Sequence, residues 1–254
     1  MIIRKEQMEA FEEVRLPDFE NRMVEHLAKC SPLHSKSLGE KGIRVLIRAA
    51  MQRAQKHGFT RKGPVKFYIE TTIILGIDFD TDPQYPQAAK ILSDRSIPDQ
   101  TDRADRVHAW LMEFLDAAEG PEGQYARWAL QRARQVPYES IPVSSPTFDR
   151  QMIERMRENH PEKVAYLGEP ALRGLIRRAI KEAKKHAVLN DMGVSLFVDL
   201  MFTVGHGFVG DPKYPWVAKT LTNRAITDPD ERAQRLYSKS MIYLDHVLQH
   251  LEAM

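Results

Sequence analysis

Leu38-Gly39-Glu40-Lys41-Gly42-Ile43-Arg44-Val45-Leu46-Ile47-Arg48 returns further along the chain as Leu167-Gly168-Glu169-Pro170-Ala171-Leu172-Arg173-Gly174-Leu175-Ile176-Arg177, the same pattern moved by 129 residues. The offset holds without a gap from Phe19–Asp116 to Phe148–Asp245, with roughly a third of the positions identical. Ala54, His57, Gly76, Asp82-Pro83 and Tyr85-Pro86 recur as Ala183, His186, Gly205, Asp211-Pro212 and Tyr214-Pro215. Lys90, Arg95, Asp99, Arg103 and Arg106 recur as Lys219, Arg224, Asp228, Arg232 and Arg235. The chain therefore reads as one unit used twice. Residues 1–116 hold an amino-terminal helix and the first repeat, 117–147 a structured connector, and 148–254 the second repeat.

The quoted stretch is helical by its period. Ile43, Leu46, Ile47, Ala50, Met51 and Ala54 fall three and four residues apart on one stripe, and Leu172, Leu175, Ile176, Ala179, Ile180 and Ala183 repeat it. Arg44, Arg48, Arg53 and Lys56 lie on the other face, which reads as solvated. After Gly63-Pro64 a second helix is apolar nearly all round, so it belongs at the centre of its unit. Its β-branched content would also suit a strand, but the helical period of its counterpart, Val194 to Gly205, decides for helix. Asp82-Pro83-Gln84-Tyr85-Pro86 breaks the chain, and a short helix runs from there to about Ser93. Asp99 and Asp228 open the last helix of each unit as N-caps, with Met241 and Leu244 among the inward residues of the second. With first helices over about 19–29 and 148–158, each unit is a bundle of roughly five helices. The amino-terminal helix, with Ile3, Met8 and Phe11 on one side, ends near Pro17, and the connector holds a helix containing Tyr125, Trp128 and Leu130 between Gly120 and the stretch Pro137–Pro146. The expected fold class is all-α, a tandem duplication packed into one body.

Composition narrows the function classes. The chain has 254 residues, 43% hydrophobic and 28% charged, enough for two domains of about 100 residues each. Its 37 basic and 35 acidic residues are mixed along the length for a net charge of +2, so no single-sign field invites nucleic acid. A lone cysteine, Cys30, excludes an internal disulfide, and the start Met1-Ile2-Ile3-Arg4-Lys5-Glu6 lacks the apolar run of an export signal; both suit the cytoplasm. No apolar stretch approaches the roughly 20 residues of a membrane span.

No catalytic signature, cofactor motif or metal-ligand set is present, so no catalytic, cofactor or metal residues are assigned. Asp78, Asp80 and Asp82 have the alternating spacing that opens a calcium loop, but Pro83 and Ala89 occupy the positions that need glycine and glutamate, and the second copy has Gly207 and Val209. Asx turns at Asp82 and Asp211 are the simpler account. His57 and His186 end the same helix in each copy and read as C-terminal caps. Tyr85 and Tyr214, with Trp216, sit on the proline-bounded turn, either as exposed anchors for a protein partner or as rings that close the core. Arg44, Arg48, Arg173 and Arg177 form a repeated basic stripe that either receives an acidic surface or is a solvated face.

The repeated Leu-Gly-Glu, the Arg-x-Leu-Ile-Arg helix and the Asp-Pro-x-Tyr-Pro turn, together with Met1 to Phe11 and Phe19 to Leu27, make the chain resemble a largely uncharacterised family of small bacterial all-helical proteins. Members of that family are associated with gene neighbourhoods of type VI secretion effectors, spike-tip proteins and loading adaptors. The resemblance implies a cytoplasmic, non-catalytic partner of such an effector or its carrier, as chaperone, adaptor or immunity-type protein, and it transfers no catalytic residue. Two other readings stand beside it: a hydrolase or transferase with a cleft between the units, using His57, His186 or the acidic turn, and a structural homo-oligomer burying the Trp110 and Trp128 region.

Overall fold

A computed structural model describes residues 5–135 and 141–252, with side chains from residue 17 onward. Ile3, the side chains of Met8 and Phe11, and much of the stretch Pro137–Pro146 lie outside the described residues. The described residues form eleven α-helices and two short 3₁₀ turns, and no strand is found among them. Helices α1 (Lys5–Cys30), α2 (Pro32–Lys56), α3 (Lys62–Leu75), α4 (Pro86–Ser93) and α5 (Gln100–Ala118) precede α6 (Gln124–Gln135). After it come α7 (Phe148–Asn159), α8 (Pro161–Lys185), α9 (Asp191–Val204), α10 (Pro215–Leu221) and α11 (Pro229–Glu252).

The apolar stripes become two hydrophobic clusters, one formed by α1–α5 and one by Ile141 and α7–α11. Leu46, Ile47, Ala50 and Ala54 are completely buried, as are Leu175, Ile176, Ala179 and Ala183. Each such leucine or isoleucine stabilises the fold by about 1.5–3 kcal/mol relative to an exposed one. Helix α3 buries Val65, Tyr68, Ile69 and Leu75 in the first cluster, while Ile74 is 49% exposed, so it is less enclosed than its composition implies. Its buried Thr71 and Thr72 direct their hydroxyls to the carbonyls of Phe67 and Tyr68, which lets polar side chains sit in an apolar wall.

Two boundaries differ from the sequence pattern. One helix runs from Lys5 through Pro17 to Cys30, so the amino-terminal helix does not stop at the proline. Pro17 is exposed, and the helix tolerates its missing backbone donor on the solvent side at a cost of about 3 kcal/mol or more. In α11 the buried position is Ser240, not Met241, and the serine hydroxyl bonds to Leu236 O. Both α2 and α8 bend at a glycine, Gly39 (φ 63°) and Gly168 (φ 74°), a left-handed conformation that accounts for the recurring Leu-Gly-Glu.

The carboxyl ends of α3 and α9 meet at the middle of the molecule. Gly76 and Gly205 cap them at φ 102° and 99°, and a Cβ on Gly205 would lie 2.7 Å from Leu75 O, one on Gly76 3.0 Å from Val204 O. Around this contact the hydrogen bonds come in pairs whose partners differ by 129 residues. His206 N donates to Asp82 Oδ2 at 2.8 Å, and Ile77 N donates to Asp211 Oδ2 at 3.0 Å. Gln84 Nε2 donates to Met201 O, and Lys213 Nζ to Thr72 O and Ile73 O. The other oxygen of each aspartate closes its own Asx turn, accepting from Gln84 N or Lys213 N.

Gly205→Ala is expected to cost about 1–3 kcal/mol in backbone strain alone, with the clash on Leu75 O added, and to lower the urea midpoint clearly. Gly63→Ala, whose Cβ meets nothing within 4 Å, serves as the control. Equal midpoints for the two variants would contradict the close approach.

Candidate functional site: a cleft beside the joint

Several of the recurring polar residues have structural roles. Arg44 donates to Glu40, Glu20 and Asn21, and Arg173 donates to Glu169 and Asp149, so each ties its long helix to the helix before it. Arg48 is also bound to Glu20. Arg103 caps α2 by donating to His57 O at 2.8 Å, and Arg232 caps α8 by donating to His186 O at 3.0 Å. The Asp99 side chain accepts from Thr101 N and Asp102 N, and Asp228 accepts from Asp230 N.

Tyr85 and Tyr214 are core residues, 3% and 4% exposed, and burial pushes both phenols well above their ordinary pKa. Tyr85 packs edge-on against Trp110 and Phe114, and Tyr214 against Tyr243. Trp216 is half-buried beside Tyr243. Arg177 is exposed. Trp110 is only 7% exposed, whereas Trp128 is 44% exposed and lies against Tyr125 on α6. Cys30 is exposed. The proposed aromatic and arginine residues are thus not gathered into one place.

The acidic turn does not converge on a common centre. Asp82 belongs to the joint, while Asp78 and Asp80 turn back to Arg53, whose Nη1 lies 2.6 Å from Asp78 Oδ1 and whose Nη2 donates to Asp80. His57 Nε2 lies 2.7 Å from Asp80 Oδ2. Burial alone would raise the Asp80 carboxyl, but hydrogen bonds from His57 and Arg53, with the charge of Arg53, hold it at about 2. Arg53 is therefore no member of a solvated face. At the 129-residue offset from Arg53, Tyr68, Asp78 and Asp80 stand Glu182, Phe197, Gly207 and Val209, so the same cluster cannot form there.

A concavity of about 1000 Å³ opens beside the joint between α3, α6, α7, α8, α9, α11 and the end of α5. On its wall Lys163 is buried with Nζ 2.6 Å from Phe202 O and 4.6 Å above the Phe202 ring. Burial lowers its pKa, while Glu119 and Asp82 pull it back up. Lys163 thereby caps the carboxyl end of α9, as Lys213 caps that of α3, where a cation meets the negative end of a helix. His160 stands edge-on to Phe202, and burial, reinforced by the charges of Lys163 and Arg132, lowers its pKa to about 3. Its imidazole is neutral at pH 7. Sequence reading did not single out Lys163 or His160, and their only signal was that their counterparts, His34 and Ser31, differ in kind. No group of histidine, cysteine and carboxylate side chains able to hold a metal ion occurs among the described residues. No described helix is long and apolar enough to cross a membrane.

No family model, no curated protein and no solved structure matches the chain.

Removing the guanidinium with Arg53→Met leaves Asp80 buried beside one fewer cation, and is expected to destabilise by about 3–5 kcal/mol at pH 7. The folded pKa of Asp80 is below the ordinary 3.8, so its contribution is complete above about pH 4 and lost as the pH falls toward 2. Urea titrations should therefore show the gap between variant and wild type closing over that window, and a constant gap would refute the pairing.

Proposed function

We propose that the chain is a tandem duplication of a five-helix unit, over 1–116 and 148–254 with 117–147 between them, and that it is a cytoplasmic, non-catalytic binding protein. Its partner is a protein: a type VI secretion effector, a spike-tip protein or a loading adaptor, held as a chaperone, adaptor or immunity-type partner holds its client. The matched bounds of α2 and α8, and of α3 and α9, with the paired contacts at the joint, support the duplication. One observation supports the binding role. Many of the recurring residues are occupied by caps, turns and helix ties, while the cleft of about 1000 Å³ beside the joint is lined in large part by side chains that differ between the halves or have no counterpart, such as Ile74 and Thr203 or Glu158 and Lys29. A concave, mostly apolar site of this size is where a protein of this kind would take a ligand.

A second reading has its own observation: two ionisable groups with displaced pKa values, His160 and Lys163, share the cleft, as they would in a hydrolase or transferase. Lys163, however, is committed to Phe202 O, and no described carboxylate forms an ion pair with either group. A nucleophile and base within hydrogen-bonding reach are the minimum for that chemistry.

Co-expression with the products of the adjacent genes and affinity purification is expected to recover one of them in stoichiometric amount, and Leu130→Asp in the cleft is expected to lose it. If nothing co-purifies, and the solubility and toxicity of the neighbouring effector do not change, the binding role is wrong. Turnover abolished by Lys163→Met would favour the enzyme instead.

A further inference from the structure

We infer that the occupant of the cleft is a basic amphipathic helix of the protein partner, a step that rests on the binding role proposed above and specifies the chemistry of what is bound. The floor and walls are greasy and accessible. Ile74 is 49% exposed, and Leu115, Leu130, Leu200, Met241 and Val247 are half-buried in the lining. Such a groove between helices accepts the apolar face of another helix, read out by side chains three and four residues apart.

The charges set the sign of the other face. All three cations in the lining are already engaged: Arg132 donates to Asn159 O, Arg155 pairs with Asp199, and Lys163 is bound to Phe202 O. Four carboxylates around the same opening, those of Asp116, Glu119, Glu122 and Glu158, form no ion pair with any described residue. Asp116, Glu122 and Glu158 are exposed, so they rim an apolar groove with unspent negative charge on a chain whose net charge is +2. An acidic helix or a free anion would be repelled there, and a plain apolar segment would leave the rim uncompensated. Lysines or arginines flanking an apolar stripe satisfy both parts, and complementary rim charges act mainly through association rate and salt dependence.

The test uses the full chain and a fluorescein-labelled amphipathic Leu/Lys peptide, with a Leu/Glu peptide of the same pattern and a Leu/Lys peptide of scrambled order as probes. Anisotropy is expected to show saturable one-to-one binding of the ordered Leu/Lys peptide, at least about tenfold tighter than either of the others and weakened by salt. The double charge reversal Asp116→Lys with Glu122→Lys, on exposed positions that leave the core untouched, is expected to weaken binding about tenfold or more. Asp105→Lys, exposed on α5 away from the cleft, is expected to leave it unchanged. Equal binding of the Leu/Lys and Leu/Glu peptides, binding indifferent to the cleft reversals, or no binding at all would overturn the inference. A neighbouring gene product that still co-purifies with the double-reversal and Leu130→Asp variants would overturn it too, while leaving the binding role intact.

Discussion

Two buried carboxylates hold the molecule together. Asp82 and Asp211 are each 2% exposed, and each accepts one backbone hydrogen bond from its own turn and one from the opposite half. A hydrogen bond to a charged group contributes about 1.5–3 kcal/mol, whereas a buried charge stripped of a partner costs about 3–5 kcal/mol. The asymmetry between those figures is what makes the joint stiff. Pulling the halves apart would take the backbone donors His206 N and Ile77 N from these carboxylates, leaving Asp82 only Gln84 and Asp211 only Lys213 from its own turn, and would uncover the helix ends capped by Gln84 and Lys213. The close approach of Gly76 and Gly205 follows from the same geometry, since no side chain fits between the two helix ends.

Much of the helical framework is legible in the sequence because its causes are local. The stripe from Ile43 to Ala54, the helix ending at Gly76, the Asp99 N-cap and the Asx turns at Asp82 and Asp211 all depend on neighbours within a few residues. The failures are tertiary. Pro17 looked like a terminator because proline breaks helices, but on an exposed face its missing donor is tolerated. Tyr85 and Tyr214 are no failure but an open choice, since the turn signal does not say which way their rings point, and the structure selects the reading in which they close the core. Arg53 shares the spacing of a solvated face, yet Asp78 and Asp80 arrive over it from beyond the next helix. The candidate cleft was hidden for a related reason: its walls come from seven helices, and Lys163 and His160 acquire their character only from burial against Phe202.

A division of labour between the two classes of residue emerges from these contacts. Many positions that recur at the 129-residue offset are spent on the fold: Arg103 and Arg232 on helix ends, Arg44 and Arg173 on helix ties, the glycines on bends and close contacts. Positions that differ or lack a counterpart supply most of the acidic rim of the cleft, Glu119, Glu122 and Glu158, while Asp116 recurs as Asp245. Asymmetry is also present where the halves are most alike, since Lys163 caps α9 from within its own half and Lys213 caps α3 from across the joint.

The most direct measure of this account is native-state hydrogen exchange at two amides, Ile77 and His206. If the carboxylates of Asp211 and Asp82 lock the halves into one body, both amides exchange only through global unfolding and share the protection of core residues in α3 and α9. Exchange at the rate of an exposed turn, while the cores of the two halves stay protected, would show that the halves part without unfolding and would contradict it.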